Sequence, residues 1–345
     1  MQNLLEKQQI RSFTHEEAIA FSELGDQLFN ELAGRMATCH DHRLLFEHQL
    51  RSDLFEAIRL AAAGYISEVV GSPITLSEPE LLERVLEARA QNRLPNYLGT
   101  GLLVPKKEHI LAFNRLQKSV ADAFSQLGAN DLVDAVDLPV NLRMVFGQTH
   151  ADVMKIPFTS MKCHSDVWNG VHPDSTVVVL PLFGDIDHIT IAAGEMPREM
   201  ELPSMRLMSD FNDGADIPMV VSYDKAKMRH GSFYFNDARG LHQTVRTVNK
   251  GLRISIDFRF RRKFNEAYRS MVPAEAMKPP SGQEFEQDMS IPYAEWLKVG
   301  RETMLVFDET MEQSQNLKQQ GFNVPLYIRD YRVVKREEVM DLIRL

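Results

Sequence analysis

The residues best suited to chemistry lie in one stretch, Lys162-Cys163-His164-Ser165-Asp166-Val167-Trp168-Asn169-Gly170. It holds an imidazole and a carboxylate two positions apart. An extended chain turns residues i and i+2 to one face. At a strand end, His164 and Asp166 therefore reach one metal ion together while Ser165 points away. Two ligands do not hold an ion firmly, so a third donor has to come from elsewhere. His242, in Gly240-Leu241-His242-Gln243-Thr244, stands at an expected strand start. Ten residues separate it from Arg253, and Ser255 follows at the next same-face position. That distance fits one strand, a short turn and the start of the next strand. It predicts His242 and Arg253 as near neighbours across a hairpin. A guanidinium there can grip a carboxylate with two parallel hydrogen bonds.

The elements that would position these residues change character along the chain. The first third reads helical. Thr14 with Glu17 and Ser77 with Glu80 form capping boxes, and Ala18, Phe21, Leu24, Leu28 and Leu32 recur at helical spacing despite Gly25 and Gly34. A second helix is expected from Leu44 to Val70 and another from about His109 to Leu127. The period then shortens to two. Strand-like runs fall at about residues 139–147, 157–163, 175–182, 187–193, 217–222, 231–236, 241–248 and 251–260. Runs of this kind, separated by Gly, Pro, Asn and Asp, are the pattern of a sandwich, barrel or jelly roll. In the last run Arg253, Ser255, Asp257 and Arg259 alternate with Leu252, Ile254, Ile256, Phe258 and Phe260. With the early helices offering an apolar partner, the polar face of that strand is free to line a wet cavity. After it the chain is helical or irregular, with a helix expected near Tyr293 to Gln319.

On these residues the chain resembles the Fe(II)- and 2-oxoglutarate-dependent oxygenases. Their pattern of His-x-Asp, a distal His, and an Arg or Lys with a Ser two further on is met by His164-Ser165-Asp166, His242 and Arg253-Ile254-Ser255. The resemblance covers about residues 135–262. It implies an α+β architecture, a double-stranded β-helix (jelly roll) core with supporting helices. Residues 1–134 would pack on a core at 135–262, with a helical extension at 263–345, as one integrated catalytic domain. It also implies a catalytic iron held by His164, Asp166 and His242, and a cosubstrate, 2-oxoglutarate, whose far carboxylate meets Arg253 and Ser255. Two imidazoles and one carboxylate on one face of iron leave adjacent positions open for 2-oxoglutarate and O2. An aspartate ligand, where halogenating relatives have a small residue, points to hydroxylation, or to a desaturation or cyclisation. Two readings from other classes stand beside this one: a jelly-roll sensor or binding protein, and a cupin-like isomerase that does not use 2-oxoglutarate.

A second His-x-Asp, His150-Ala151-Asp152, competes for the metal role. Strand counting favours His164, which follows two of the predicted runs where His150 follows one. Cys163 faces away from His164 and reads as a small buried residue. For the substrate, Asn141 and Arg143 share a face of the first run, Lys162 shares a face with His164, and Trp168 could stack on a ring. These side chains suggest a small polar metabolite, sugar-like or amino-acid-derived. The stretch His-Ser-Asp-Val-Trp-Asn-Gly is faintly similar to oxygenases of sugar, aminoglycoside and secondary-metabolite pathways. The segment from Ala193 to Pro218 is long for a connection between strands and is expected to act as a lid or binding loop. Met196, Met200, Met205 and Met208 within it read as adaptable apolar cover.

Bulk composition narrows the partners. A net charge of -9 argues against nucleic acid, which is bound by clustered Lys and Arg. No apolar run approaches the roughly 18 residues of a membrane helix, so no membrane role is expected. The start, Met1-Gln2-Asn3-Leu4-Leu5-Glu6-Lys7, has no basic-then-apolar leader pattern. Two cysteines, Cys39 and Cys163, are too few for a disulfide framework. The expectation is a cytoplasmic enzyme acting on a small molecule.

Overall fold

The computed structural model describes residues 12–72, 77–94, 101–103, 107–147, 154–223, 228–263, 265–277, 290–307 and 331–343. The rival pair His150 and Asp152 lies outside them. The architecture is mixed, with helices set against antiparallel sheets.

Helix α1 (His15–Met36) begins at the expected capping box, with the Glu17 amide donating to Thr14 Oγ1 at 3.1 Å and the Thr14 amide to the Glu17 carboxylate at 2.9 Å. Two strands follow, β1 (Cys39–His42) and β2 (Leu45–Gln49), then α2 (Ser52–Val70) and α3 (Glu78–Ala90). The helix expected to run from Leu44 thus starts only at Ser52. Leu45 to Gln49 are taken instead by backbone pairing to a distant strand, which helical periodicity cannot foresee. Helix α4 (Ile110–Phe124) matches its expected position.

Strands β3 (Val133–Asp137), β4 (Asn141–Phe146), β5 (Ser175–Gly184) and β6 (Ile189–Glu195) lead to the short helix α5 (Arg198–Ser204). Then come β7 (Val221–Ser222), β8 (Ser232–Asp237), β9 (Leu241–Arg246) and β10 (Leu252–Arg262). The end of the described chain holds α6 (Glu266–Met271), β11 (Ser290–Pro292), α7 (Tyr293–Trp296), β12 (Thr303–Phe307), β13 (Tyr331–Lys335) and α8 (Arg336–Ile343). The long helix expected from Tyr293 stops at Trp296, and residues 308–319 lie outside the described set. The chain turns at Gly300 with φ of +77°, where a Cβ would strike the Asn114 carbonyl oxygen. Buried Asn114 then acts as a strand edge, exchanging hydrogen bonds of 2.8 Å with the Leu305 amide and carbonyl.

One eight-stranded sheet has the order β1-β2-β8-β5-β10-β3-β11, with β4 also paired to β10. A second sheet has the order β7-β6-β9. Strand β10 is the spine of the larger one. Its edges carry β5 along most of its length, β4 beside Leu252–Asp257 and β3 beside Phe260–Arg262. Its apolar face, Leu252 to Phe260, joins the main core with Phe29, Ile58, Tyr65, Phe113 and Phe124 from the helices. The polar face is turned into a cavity between the sheets, as the alternation predicts. No helix among the described residues is long and apolar enough to cross a membrane.

Three strand expectations change. Residues 157–163 form turns, not a strand, and the run at 217–222 pairs only through Val221 and Ser222. Strands β9 and β10 are not hairpin partners. β9 pairs with β6 in one sheet, and β10 with β4 and β5 in the other. The turn between them, with Gly251 at φ +96°, carries the chain across the cavity.

Candidate active site

His164 reaches the site through a single bridge. Its amide donates to the His242 carbonyl at 3.0 Å, and the His242 amide returns a bond of 2.8 Å to the His164 carbonyl. This reciprocal pair holds the two imidazoles side by side, with ring centroids 4.3 Å apart. Directly afterwards the chain leaves extended geometry. Ser165 caps a 3-10 turn over Asp166–Asn169, its hydroxyl accepting from the Val167 amide and donating to the Ala238 carbonyl at 2.7 Å. Asp166 is therefore aimed by a capped turn, not by the strand alternation first expected. Donor atoms of His164, Asp166 and His242 all lie within 4.8 Å of one another. His164 Nε2 is 4.0 Å from Asp166 Oδ1, and His242 Nε2 is 3.7 Å from Asp166 Oδ2.

The protonation of this trio suits a divalent cation. His164 Nδ1 donates to the Lys162 carbonyl at 2.7 Å, which fixes the tautomer and leaves the Nε2 lone pair for a ligand. Burial pushes the His164 pKa down to about 3, and burial lowers that of His242 as well, so both rings are neutral at physiological pH. Burial alone would raise Asp166. The Arg259 guanidinium, bonded to Oδ1 at 3.1 Å, is the leading charge that outweighs it and holds the carboxyl well below its usual range. Asp166 Oδ2 is buried with no hydrogen-bond partner among the described residues. Two neutral imidazoles and an ionised carboxylate with an unsatisfied oxygen fit ferrous iron.

Farther along β10, Arg253 is 1% exposed and donates through Nη1 to the Ile189 carbonyl at 2.9 Å. Its Nε and the Ser255 hydroxyl are buried without partners among the described residues. Burial first, and then the neighbouring Arg143, depress the Arg253 pKa to about 9. A buried cation with Arg143 and Arg246 as well as Asp257 among the charges acting on it is a ready receptor for an anion. Arg253, Ser255, His164, Asp166 and His242 all line the same cavity.

The expected substrate residues divide. Asn141 and Arg143 line the cavity, Arg143 bonded to Asp257 through Nε at 2.8 Å and Nη2 at 2.5 Å. Lys162 and Trp168 do not. Lys162 reaches Asp210 at 2.7 Å and so anchors the segment between β6 and β7. Trp168 is buried among Met196, Met208, Phe211 and Leu241, with Gly214 against its ring. That segment delivers Phe211, whose ring stacks on His164 at 3.9 Å and 17°. Nothing local in the sequence marks Phe211. Arg259 was legible, since it continues the polar face that carries Arg253 and Ser255.

No family model matches the chain, and no curated protein does. Among solved structures it is similar to the non-heme alpha-ketoglutarate-dependent epimerase SnoN from nogalamycin biosynthesis, at 11% identity and a TM-score of 0.35 over 77% of this chain and 94% of that one. It is also similar to the apo form of ThoJ, a non-heme monooxygenase, at 15% identity and a TM-score of 0.31 over 60% and 76% of the two chains. AviO1 from Streptomyces viridochromogenes follows at 13% identity and 0.31, over 73% and 96%. At such identities function is read from the site itself.

Proposed function

We propose that this protein is an Fe(II)- and 2-oxoglutarate-dependent oxygenase that hydroxylates a C–H bond of a small metabolite with polar groups, sugar-like or amino-acid-derived. The observation that carries the reading is one cavity holding both halves of the required chemistry. At one place are two neutral imidazoles and a carboxylate, and at another a buried guanidinium and hydroxyl with donors unsatisfied among the described residues. The antiparallel sheets around that cavity support a double-stranded β-helix as the core, with the flanking segments packed on it in one domain.

Bound iron would supply O2 activation coupled to oxidative decarboxylation of 2-oxoglutarate to succinate and CO2. The chain's own residues do the positioning. His164, Asp166 and His242 would hold the ion, and Lys162 fixes the His164 ring through its carbonyl. Arg253 and Ser255 would take the far carboxylate of the cosubstrate. Arg259 neutralises one oxygen of Asp166, which leaves the other for the metal. Asn141, Arg143 and Asp257 give the cavity wall hydrogen-bonding groups for substrate hydroxyls or an acid.

The test is anaerobic loading with Fe(II) and 2-oxoglutarate, followed by O2. A visible charge-transfer band before O2 and succinate after it are expected. The His242→Ala protein should show neither and should bind iron at least 100-fold more weakly. Absence of the band and of succinate in the unaltered protein would refute the proposal.

A further inference from the structure

The lining of the cavity has two unlike regions. Asn141, Arg143, Asp257 and Arg259, on β4 and β10, form a polar wall. Beside them, and continuing onto the second sheet, Leu45, Ala193, Tyr223, Met228 and Tyr234 form a hydrophobic cluster of their own, separate from the main core, with Val179, the register partner of Asp257, and Ile191 packed against it. Every member of that cluster also lines the cavity. The cluster draws on both sheets. Tyr234 lies opposite Val179 in the β8–β5 register, and the Tyr223 amide bonds the Ala193 carbonyl at 2.7 Å. Ala193 in turn is the register partner of the metal-site residue His242.

The two tyrosines present carbon, not hydroxyl. Tyr223 donates its hydroxyl to Glu195 and accepts from the Leu44 amide at 3.3 Å. One face of its ring is covered by His42, stacked at 4.3 Å and 19°. The Tyr234 hydroxyl accepts from the Arg229 amide at 2.7 Å. Both rings are thus oriented by bonds made to groups that do not line the cavity. At the margin of the wall, Asn236, the register partner of Leu45, has a buried Oδ1 with no hydrogen-bond partner among the described residues.

We infer that this wall is a substrate subsite for an apolar ring or branched alkyl group, so that the substrate is amphipathic: polar groups on the Arg143–Asp257 side, a hydrocarbon body against Tyr223, Tyr234, Leu45 and Met228. A purely hydroxylated sugar would leave this wall without a partner, since apolar surface gains by excluding water only when carbon covers it. The inference rests on reading the cavity as the substrate site of an oxygenase.

The experiment uses 3-phenyl-1-propanol, with 1-propanol and glucose as comparisons. A neutral probe cannot compete for the Arg253 anion site. Binding is measured by ligand-detected NMR on the metal-free protein, and again on protein loaded anaerobically with Fe(II) and 2-oxoglutarate. The phenyl compound should bind at least tenfold more tightly than 1-propanol, and glucose should not displace it. Ala193→Leu, which fills the wall, and Val179→Thr, which makes it polar at nearly constant volume, should each weaken binding about fivefold or more. Circular dichroism of both variants confirms folding. Equal affinity for the two alcohols, displacement by glucose, or indifference to Val179→Thr would overturn the subsite. Phenyl binding without a charge-transfer band would instead sink the oxygenase reading while leaving the apolar wall standing.

Discussion

At the scale of residues, the site is arranged around groups that burial holds in a fixed charge state. Among the described residues, the buried Arg253 Nε and Ser255 hydroxyl, both in the lining of the cavity, have no hydrogen-bond partner. Arg253→Ala should raise the 2-oxoglutarate concentration needed for half-maximal turnover at least 30-fold, consistent with about 2 kcal/mol or more for a charged hydrogen-bonded pair. Iron affinity should change little, and an unchanged cosubstrate requirement would remove the assigned role. The histidines make a separate prediction for the metal-free protein. Burial takes His164 from 6.5 to about 3, so the unfolded chain binds a proton where the folded one does not. The stability this contributes is fully present above about pH 6.5 and is lost as pH falls toward 3. His242, His40 and His230 are shifted in the same direction, each chiefly by burial. Melting temperature should therefore be level above pH 6.5 and drop below it, and His164→Gln should flatten the drop between pH 6.5 and 4. A parallel decline in both proteins would contradict this.

At the scale of elements, the segment between β6 and β7 packs against the candidate metal ligands without belonging to either sheet. Phe211 stacks on His164, and its amide bonds the Pro157 carbonyl at 3.1 Å. The Met208 amide bonds the Trp168 carbonyl at 3.0 Å, two residues beyond Asp166. Gly214 closes this layer because a Cβ there would drive into the Trp168 ring. Gly214→Ala should cost about 1–3 kcal/mol by overpacking. It should also weaken iron binding, because Trp168 shares the 3-10 turn of Asp166. Calorimetric metal titration beside thermal melting separates the two effects, and normal affinity would show that the turn is indifferent to its packing.

At the scale of the whole molecule, helix α1 is fastened to the sheets through buried charge. Arg239 is fully buried and donates to the Ser22 carbonyl at 2.9 Å, Glu201 at 3.0 Å, Asp237 at 3.0 Å and Asp26 at 3.1 Å. Its guanidinium lies against Gly25, where a Cβ would collide with it. A glycine that looks like a flaw in a helix is thus the slot for a cation from the β8–β9 turn. Gly25→Ala should destabilise the protein by about 1–3 kcal/mol, although helix propensity alone favours alanine by about 1 kcal/mol. Gly34, in the same helix, is exposed with nothing within 4 Å of a Cβ. Gly34→Ala should stabilise by about 0.4–1 kcal/mol. Urea denaturation of the pair checks both signs, and equal effects would refute the slot.

Much of the site was open to reading in the chain itself. Residue type picks out His164, Asp166, His242, Arg253 and Ser255, although the shared strand face expected for His164 and Asp166 and the hairpin expected for His242 and Arg253 are replaced by a capped turn and by two sheets. The alternation of β10 by itself sorts a core face from a cavity face, because side-chain direction in a strand has period two. The capping boxes at Thr14 and Ser77 are local for the same kind of reason. What lies between distant segments was not open to it. Leu45–Gln49 became a strand because β8 offered backbone partners, and β9 and β10 parted into different sheets although only a turn separates them. Phe211 reached His164, and Lys162 was drawn away to Asp210, through folding of a segment with no periodic pattern. Local sequence sets which way a side chain points from its own backbone. Which surface it then meets depends on pairing and packing energies summed over the whole chain, and those were decided only in the tertiary structure.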